Sequence, residues 1–185
     1  VVPGSTAGDV HAKPYAYDAG QKAVHMHFQR KQIPATISKL SPGSYSHIFT
    51  TRDNPLVSIV IPTRGDTSRI WGVETCLVEG IVNTILNTTD YPNFEIVVVR
   101  DVNENGQMVH PFTLPSDPRI LLVNFDQIFN LAKKWNHGVL ASNGEVVVVL
   151  DDDTHVDNPE WLSQIVGQLQ FSDIGVVGPM LLLED

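Results

Sequence analysis

The sequence is poor in anything that would cross-link it, carry it through a bilayer or draw it to a polyanion. It has one cysteine, Cys76, in 185 residues. An internal disulfide is therefore excluded, and the usage fits a reducing compartment. Cys76 reads as a buried residue on the apolar face of a helix. Apolar runs stay far short of the ~20 residues that span a membrane, and no charged-then-apolar leader opens the sequence. Asn87-Thr88-Thr89 fits the glycosylation triplet and, without a leader, reads as chance. Basic residues are scarce: 12 Lys and Arg against 21 Asp and Glu give a net charge of −9. That balance excludes general nucleic-acid binding, which needs cations to neutralise phosphates. Phosphate-loop, dinucleotide, HExxH and CxxC motifs are all missing, as are internal repeats and low-complexity tracts. No serine or cysteine sits in a nucleophile context.

What is present divides near residue 55. Residues 1–13 are small and polar and read as a linker. Pro14 suits the first turn of a helix, expected over about 14–31. Ser41-Pro42-Gly43-Ser44 separates two short β-prone segments; proline then glycine fits a type II turn, hence a hairpin. Residues 51–55 read as a second linker. From there strands and helices alternate. Strands are expected at 56–62, 94–99, 119–123, 145–150 and 174–178. One helix is read from Val73, Cys76, Leu77, Ile81 and Ile85. A second is read from Ile128, Leu131, Ala132, Trp135 and Val139, and a third starts after Asn158-Pro159-Glu160. Strands apolar on both faces, alternating with amphipathic helices, predict a Rossmann-like α/β fold: a mostly parallel sheet covered on both sides. Ligands of such sheets sit beyond the carboxyl ends of the strands.

At those ends stand Thr63, Arg64 and Asp66 after the first strand, Arg100 and Asp101 after the second, and Asp151-Asp152-Asp153-Thr154 after the fourth. Like charges ~4 Å apart repel by about 1 kcal/mol in water and about 4 kcal/mol at an effective dielectric of about 20. Three successive aspartates therefore call for an offsetting cation. In an extended segment Asp151 and Asp153 would share one side and Asp152 the other. Two carboxylates on one side form a partial oxygen site for Mg²⁺ or Mn²⁺, completed by water and substrate phosphates. A solvated acidic loop is the plain alternative. The Asp-x-Asp-x-Thr strand end of haloacid-dehalogenase-type phosphatases does not match, because His155 holds the fifth place and Thr154 comes one early.

The stretches PLVSIVIPTRG, TTDYPNFEIVVV, PRI, FNLAKKWNHGVLASNGEVVVVLDDDTHVDNPEWL and IGVVGPMLL, in that order over 55–185, resemble the family 2 glycosyltransferases of GT-A fold. The likeness is greatest to bacterial surface-polysaccharide enzymes, including rhamnosyltransferase-like members. The resemblance implies an inverting transfer of sugar from a nucleotide diphosphate-sugar to a polysaccharide or lipid-linked acceptor. Asp153 would ligate Mg²⁺ or Mn²⁺, and Asp151 would face the ribose or donor sugar and share the metal. Asp152 joins the nucleotide-sugar set. Thr63 would lie by the nucleoside, and Asp101 would accept from the base. Arg64 would approach the diphosphate or stay a surface residue. Arg100 stands where the family often has an acid, which leaves base recognition partly open. In the family the acceptor half and catalytic base lie beyond the last matched strand. Residues 1–54 are thus expected to be a connector and 55–185 a C-terminally truncated nucleotide-sugar-binding half, with neighbouring domains of a longer chain as partners. Glu184 and Asp185 fill no base motif. The implied setting is cytoplasmic, with peripheral association at the inner membrane face left open. The competing class is a non-catalytic nucleotide-binding or interdomain docking module. A nucleotidyltransferase would need a glycine-rich basic loop after the first strand, which is lacking.

The remaining residues take plainer readings. Asn130, Asn136 and Gly138 are read as helix capping and packing. Trp71, Trp135 and Trp161 are read as core or helix-face residues, His155 as solvated, His25 and His27 as binding nothing, and Lys133 and Lys134 as a solvated helix face.

Overall fold

The structure, a computed structural model, describes residues 13–182. These form two compact units, one of Asp53–Leu162 and one of residues 13–52 with 163–182. The linker expected over 1–13, except Lys13, and the acids Glu184 and Asp185 lie outside the described residues.

In the smaller unit proline opens helix α1 (Pro14–Arg30) within its first turn. Strands β1 (Ala35–Ser41) and β2 (Ser44–Phe49) pair antiparallel around Pro42-Gly43. Gly43 has φ of 81°, the left-handed backbone that a type II turn requires at this place. Phe28, His47, Phe49 and Phe171 then gather with neighbouring ring centroids 4.9–5.9 Å apart, most of them edge to face. That is the arrangement aromatic quadrupoles favour.

The larger unit begins with strand β3 (Val57–Thr63), in which all seven residues are buried. A hairpin follows, β4 (Thr67–Ile70) and β5 (Val73–Cys76), and then helix α2 (Leu77–Thr88). The hairpin replaces the start of the helix expected from Val73. Trp71 and Gly72, between the paired Ile70 and Val73, both have positive φ, 45° and 81°. Two such residues make the type I′ turn that matches strand twist. Val73 and Trp71 are exposed as a result, at 65% each, so Trp71 is not a core residue. Cys76 is half-buried at the helix N-cap and not on its apolar face. That face is made by Val78, Ile81, Val82 and Ile85.

Strands β6 (Phe94–Asp101), β7 (Ile120–Phe125) and β8 (Val146–Val149) complete a four-stranded parallel sheet, ordered β7-β6-β3-β8. Helix α3 (Leu131–Ala141) packs on it: Val60, Val97, Val99 and Phe125 form a buried cluster completed by Val123 and Trp135. Of the expected apolar stripe Trp135 meets the sheet, but the stripe as a whole does not. Lys134 and Gly138 are the buried residues of α3, whereas Ile128, ahead of the helix, is 93% exposed. A Cβ on Gly138 would come within 2.3 Å of Val60 Cγ1, so glycine there lets the helix backbone reach the sheet.

The last helix, α4 (Trp161–Leu169), starts as expected behind Asn158, whose Oδ1 accepts from Glu160 N–H at 3.0 Å. The fifth strand expected at 174–178 is not formed. The segment is irregular, and Val176 is 89% exposed. Its valines supply β-propensity, but a strand exists only against a ladder partner, and none pairs with it among the described residues.

Candidate functional site

The three parallel strands β6, β3 and β8 lie side by side, and the ends of β6 and β3 are joined by polar contacts to each other and to the turn that follows β8. Thr63 is 3% exposed. Its hydroxyl donates to Asp152 Oδ2 at 2.5 Å and accepts from Gly65 N–H at 2.9 Å. Gly65, at φ 81°, turns the chain away, and a Cβ on it would meet His110 O at 2.6 Å. On the other side of Thr63 the Lys134 ammonium donates to the Thr63 carbonyl at 2.7 Å and pairs with Asp101 Oδ1 at 2.7 Å. Lys134 is 1% exposed. A buried cation persists only when paired and hydrogen-bonded, and two acceptors meet that need. The result is a continuous polar chain, Asp101–Lys134–Thr63–Asp152, across three strand ends.

Lys134 was missed by the sequence reading, which placed it on a solvated face. The available signal was its spacing: Asn130, Lys134 and Gly138 recur every four residues, one side of a helix. Asn130 Oδ1 caps that helix by accepting from Lys133 N–H at 3.0 Å. Around Asp101 the chain is held by a Val102–Met108 bridge and by Asn103 Oδ1, which accepts from Asn105 N–H and Gln107 N–H, each at 3.0 Å. Arg100 turns aside, donating from Nε to Asn124 Oδ1 at 2.9 Å.

The aspartate triplet is not extended. Leu150 N–H still bonds to Val60 O at 3.1 Å, but Thr154 N–H then returns to Asp151 O at 3.3 Å, closing a turn. The alternation of sides expected for Asp151 and Asp153 therefore does not apply. Asp152 is half-buried; Asp151 and Asp153 are exposed. Burial pushes the Asp152 carboxyl above its usual range. The Thr63 hydrogen bond opposes this, and Asp153, Asp66 and Asp151 add to the rise. Arg64 points to solvent, 3.9 Å from Asp66, and does not join the polar chain.

Beside the triplet lies a cavity of about 260 Å³, lined by Asp152, Asp153, Thr154 and His155, by hairpin residues including Ile70, Trp71 and Thr75, and by α2 residues including Leu77 and Ile81. Trp71 meets His155 edge to face, with centroids 5.1 Å apart. For a divalent cation the donor chemistry fits an open site. The Asp151 and Asp153 carboxylates accept no hydrogen bond among the described residues. One or two carboxylates, completed by water and phosphate, is the habit of Mg²⁺. No group of three or more acidic, histidine or cysteine side chains forms a metal cage among the described residues.

A four-stranded parallel sheet flanked by helices, with a polar rim at its carboxyl edge, is the fold of the GT-A glycosyltransferases. A mannosyltransferase from Pyrobaculum calidifontis, solved with GDP-mannose and Mn²⁺, superposes with a TM-score of 0.51 at 20% identity, covering 90% of this chain and 44% of that one. The sequence matches Glycosyl transferase family 2 over residues 58–182, and the chain belongs to that family. It is 35% identical over 188 residues to protein y4gI of Sinorhizobium fredii, covering 99% of this chain and 20% of that protein. It is 29% identical over 173 residues to the O-antigen biosynthesis protein RfbC of Myxococcus xanthus, covering 92% and 13%. The chain thus spans a fifth or less of the length of the curated relatives it matches.

Proposed function

We propose that this chain is the nucleotide-sugar-binding part of a glycosyltransferase that moves a sugar, with inversion, from a nucleotide diphosphate donor to a polysaccharide or lipid-linked acceptor. Residues 55–185 are the donor-binding part, and 1–54 connect it to neighbouring domains. Thr63, Asp101, Asp151 and Asp152 line the nucleotide-sugar, with Arg64 free to swing toward the diphosphate. Asp153 and Asp151 would hold Mg²⁺ or Mn²⁺, which supplies charge neutralisation at the donor diphosphate. The observation that carries the reading is the bond between Thr63 and Asp152, which ties the acid triplet to the end of the central strand. Ligands of open parallel sheets bind just there.

The chain's own groups have separable tasks. Thr63 orients Asp152, so the triplet presents Asp151 and Asp153 outward. The paired Lys134 and Asp101 keep a carboxylate at the β6 end without leaving its charge uncompensated. The relation to RfbC supports a polysaccharide-building process, and the relation to a GDP-mannose complex supports a nucleotide diphosphate donor. No helix among the described residues is long and apolar enough to cross a membrane; cytoplasmic placement with peripheral membrane contact belongs to the proposal.

Calorimetric titration of UDP and GDP, with and without Mn²⁺, tests it. Binding should require the cation and be lost in Asp153→Ala. Cation-dependent binding that survives Asp153→Ala would remove the metal assignment. Absence of any binding would favour the docking module instead.

A further inference from the structure

Trp71 carries two features that stability does not explain. Its φ of 45° lies in the left-handed region, where a bulky side chain is an outlier. Its indole is 65% exposed, so burial returns little for that strain. Strained residues that persist cluster at functional sites. Trp71 leads the two-residue turn between the paired Ile70 and Val73, and it meets His155 at an interplanar angle of 85°. In an edge-to-face contact His155 covers at most one face of the indole, so another face stays open. Both rings line the cavity of about 260 Å³ beside the acid turn, and all of its lining residues belong to the unit Asp53–Leu162. Ile70, Leu77 and Ile81 give that cavity an aliphatic wall, while Asp153 and Thr154 bring oxygen atoms to it.

An open aromatic face beside oxygen acceptors complements a pyranose ring. The ring's C–H bonds pack on the negative face of a π-system, and its hydroxyls find acceptors at the periphery. We propose that the β4–β5 hairpin, through Trp71, and the cavity beside it form a subsite for one sugar residue of a saccharide acceptor. This rests on the nucleotide-sugar reading above and adds an acceptor contact to the donor-binding part of the chain. Asp153 lines the cavity, which puts the subsite next to the cation and diphosphate of that reading. The exposure of the indole favours the acceptor over the donor's own sugar. A sugar in transit is kept from water, whereas a residue within a growing saccharide continues into solvent beyond the ring it stacks on. A purely apolar occupant, such as a lipid tail, would leave the oxygen atoms of the cavity without partners.

The test uses the whole chain labelled with fluorotryptophan and followed by fluorine NMR. The signal missing from Trp71→Asn is that of Trp71. Mannotriose and cellotriose are the probes, each with and without GDP and Mn²⁺. At least one should move the Trp71 signal and leave those of Trp135 and Trp161 in place. Asparagine accepts the left-handed turn, so Trp71→Asn should fold with a Tm no lower than the wild type. The same trisaccharide, followed through its own proton signals, should bind that variant about tenfold more weakly, the scale of one aromatic contact. Trp71→Tyr, which keeps an aromatic face, should stay within about threefold of the wild type. A Trp71 signal unmoved by either trisaccharide would overturn the proposal, as would binding undiminished in Trp71→Asn. Two further results would overturn the acceptor assignment. If GDP-mannose moves the signal beyond GDP and excludes the trisaccharide, the platform holds the donor's sugar. If farnesyl phosphate moves it and the trisaccharides do not, the platform holds a lipid tail. Failure of the nucleotide-sugar reading looks different: UDP and GDP give no calorimetric binding while a trisaccharide still moves the Trp71 signal, which removes the transfer and keeps the saccharide subsite.

Discussion

At the scale of single residues, the rim depends on side chains that satisfy one another. Thr63 is the joint: its hydroxyl serves Asp152 and Gly65, while its carbonyl serves Lys134. Thr63→Val keeps the shape and removes the hydroxyl. The half-buried Asp152 and the Gly65 N–H would each lose a partner. The expected cost is about 1–3 kcal/mol, read as a lower urea midpoint at unchanged m-value. Gly138 makes a different demand. In Gly138→Ala the methyl meets Val60 and Val99 side chains, and overpacking of this kind costs about 1–3 kcal/mol. Urea unfolding would also measure this, and a neutral result would mean α3 can lift from the sheet freely. Both residues stand in quotable motifs, yet their roles were unequally legible. The packing role of Gly138 could be read from the helix pattern. The same four-residue spacing puts Lys134 on that side, but its acceptor could not be read, because Thr63 lies 71 residues away and no local periodicity encodes such a partner.

At the scale of elements, the opposite end of the sheet is tied by a second polar knot. Glu95 Oε1 on β6 accepts from Ser58 Oγ at 2.6 Å and from Asn143 N–H at 2.7 Å, and Oε2 accepts from the Asn143 amide at 3.1 Å. Ser58 Oγ accepts in turn from Gly144 N–H at 2.8 Å. The knot fastens β3 and β6 to the turn between α3 and β8. Burial opposes ionisation of Glu95, but the bonds from Asn143 and Ser58 outweigh it, and its pKa lies below the ordinary glutamate value. A carboxyl lowered on folding contributes stability that is fully present above its unfolded pKa. That contribution is lost as pH falls through the folded value. Wild-type stability should therefore slope downward from about pH 4.5 into more acid solution, and Glu95→Gln should flatten that slope. Thermal melts of both proteins across pH 3–7 would measure it; parallel curves would remove Glu95 from the account. Strand β6 itself was legible, because burial on both faces leaves the apolar run Ile96–Val99. The hairpin β4–β5 was not. Val73, Cys76 and Leu77 imitate helical spacing, and Trp71 is not a residue whose identity announces a left-handed turn. The segment 174–178 failed for the converse reason, since its composition favours a strand but pairing is a property of a partner.

At the scale of the whole molecule, the two units should answer a ligand differently. The rim contacts fall within Asp53–Leu162, whereas the aromatic cluster around Phe49 belongs to the other unit. A ligand that binds only the native state stabilises it by about 2.7 kcal/mol at one hundred times its Kd. For a chain of this size that raises Tm by roughly 5–11 °C. Mn²⁺ with a nucleoside diphosphate should give such a rise, and Asp153→Ala should abolish it without lowering the Tm of the free protein, since Asp153 is exposed. Hydrogen exchange locates the effect. Added protection should appear at the carboxyl ends of β3 and β6 and in the turn at 151–154. The amides of α1 and of the β1–β2 hairpin should exchange at their ligand-free rates. Protection spread evenly over both units would mean that the ligand acts on global unfolding alone, or binds elsewhere. Protection confined to α1 and its hairpin would move the nucleotide away from the aspartate triplet altogether.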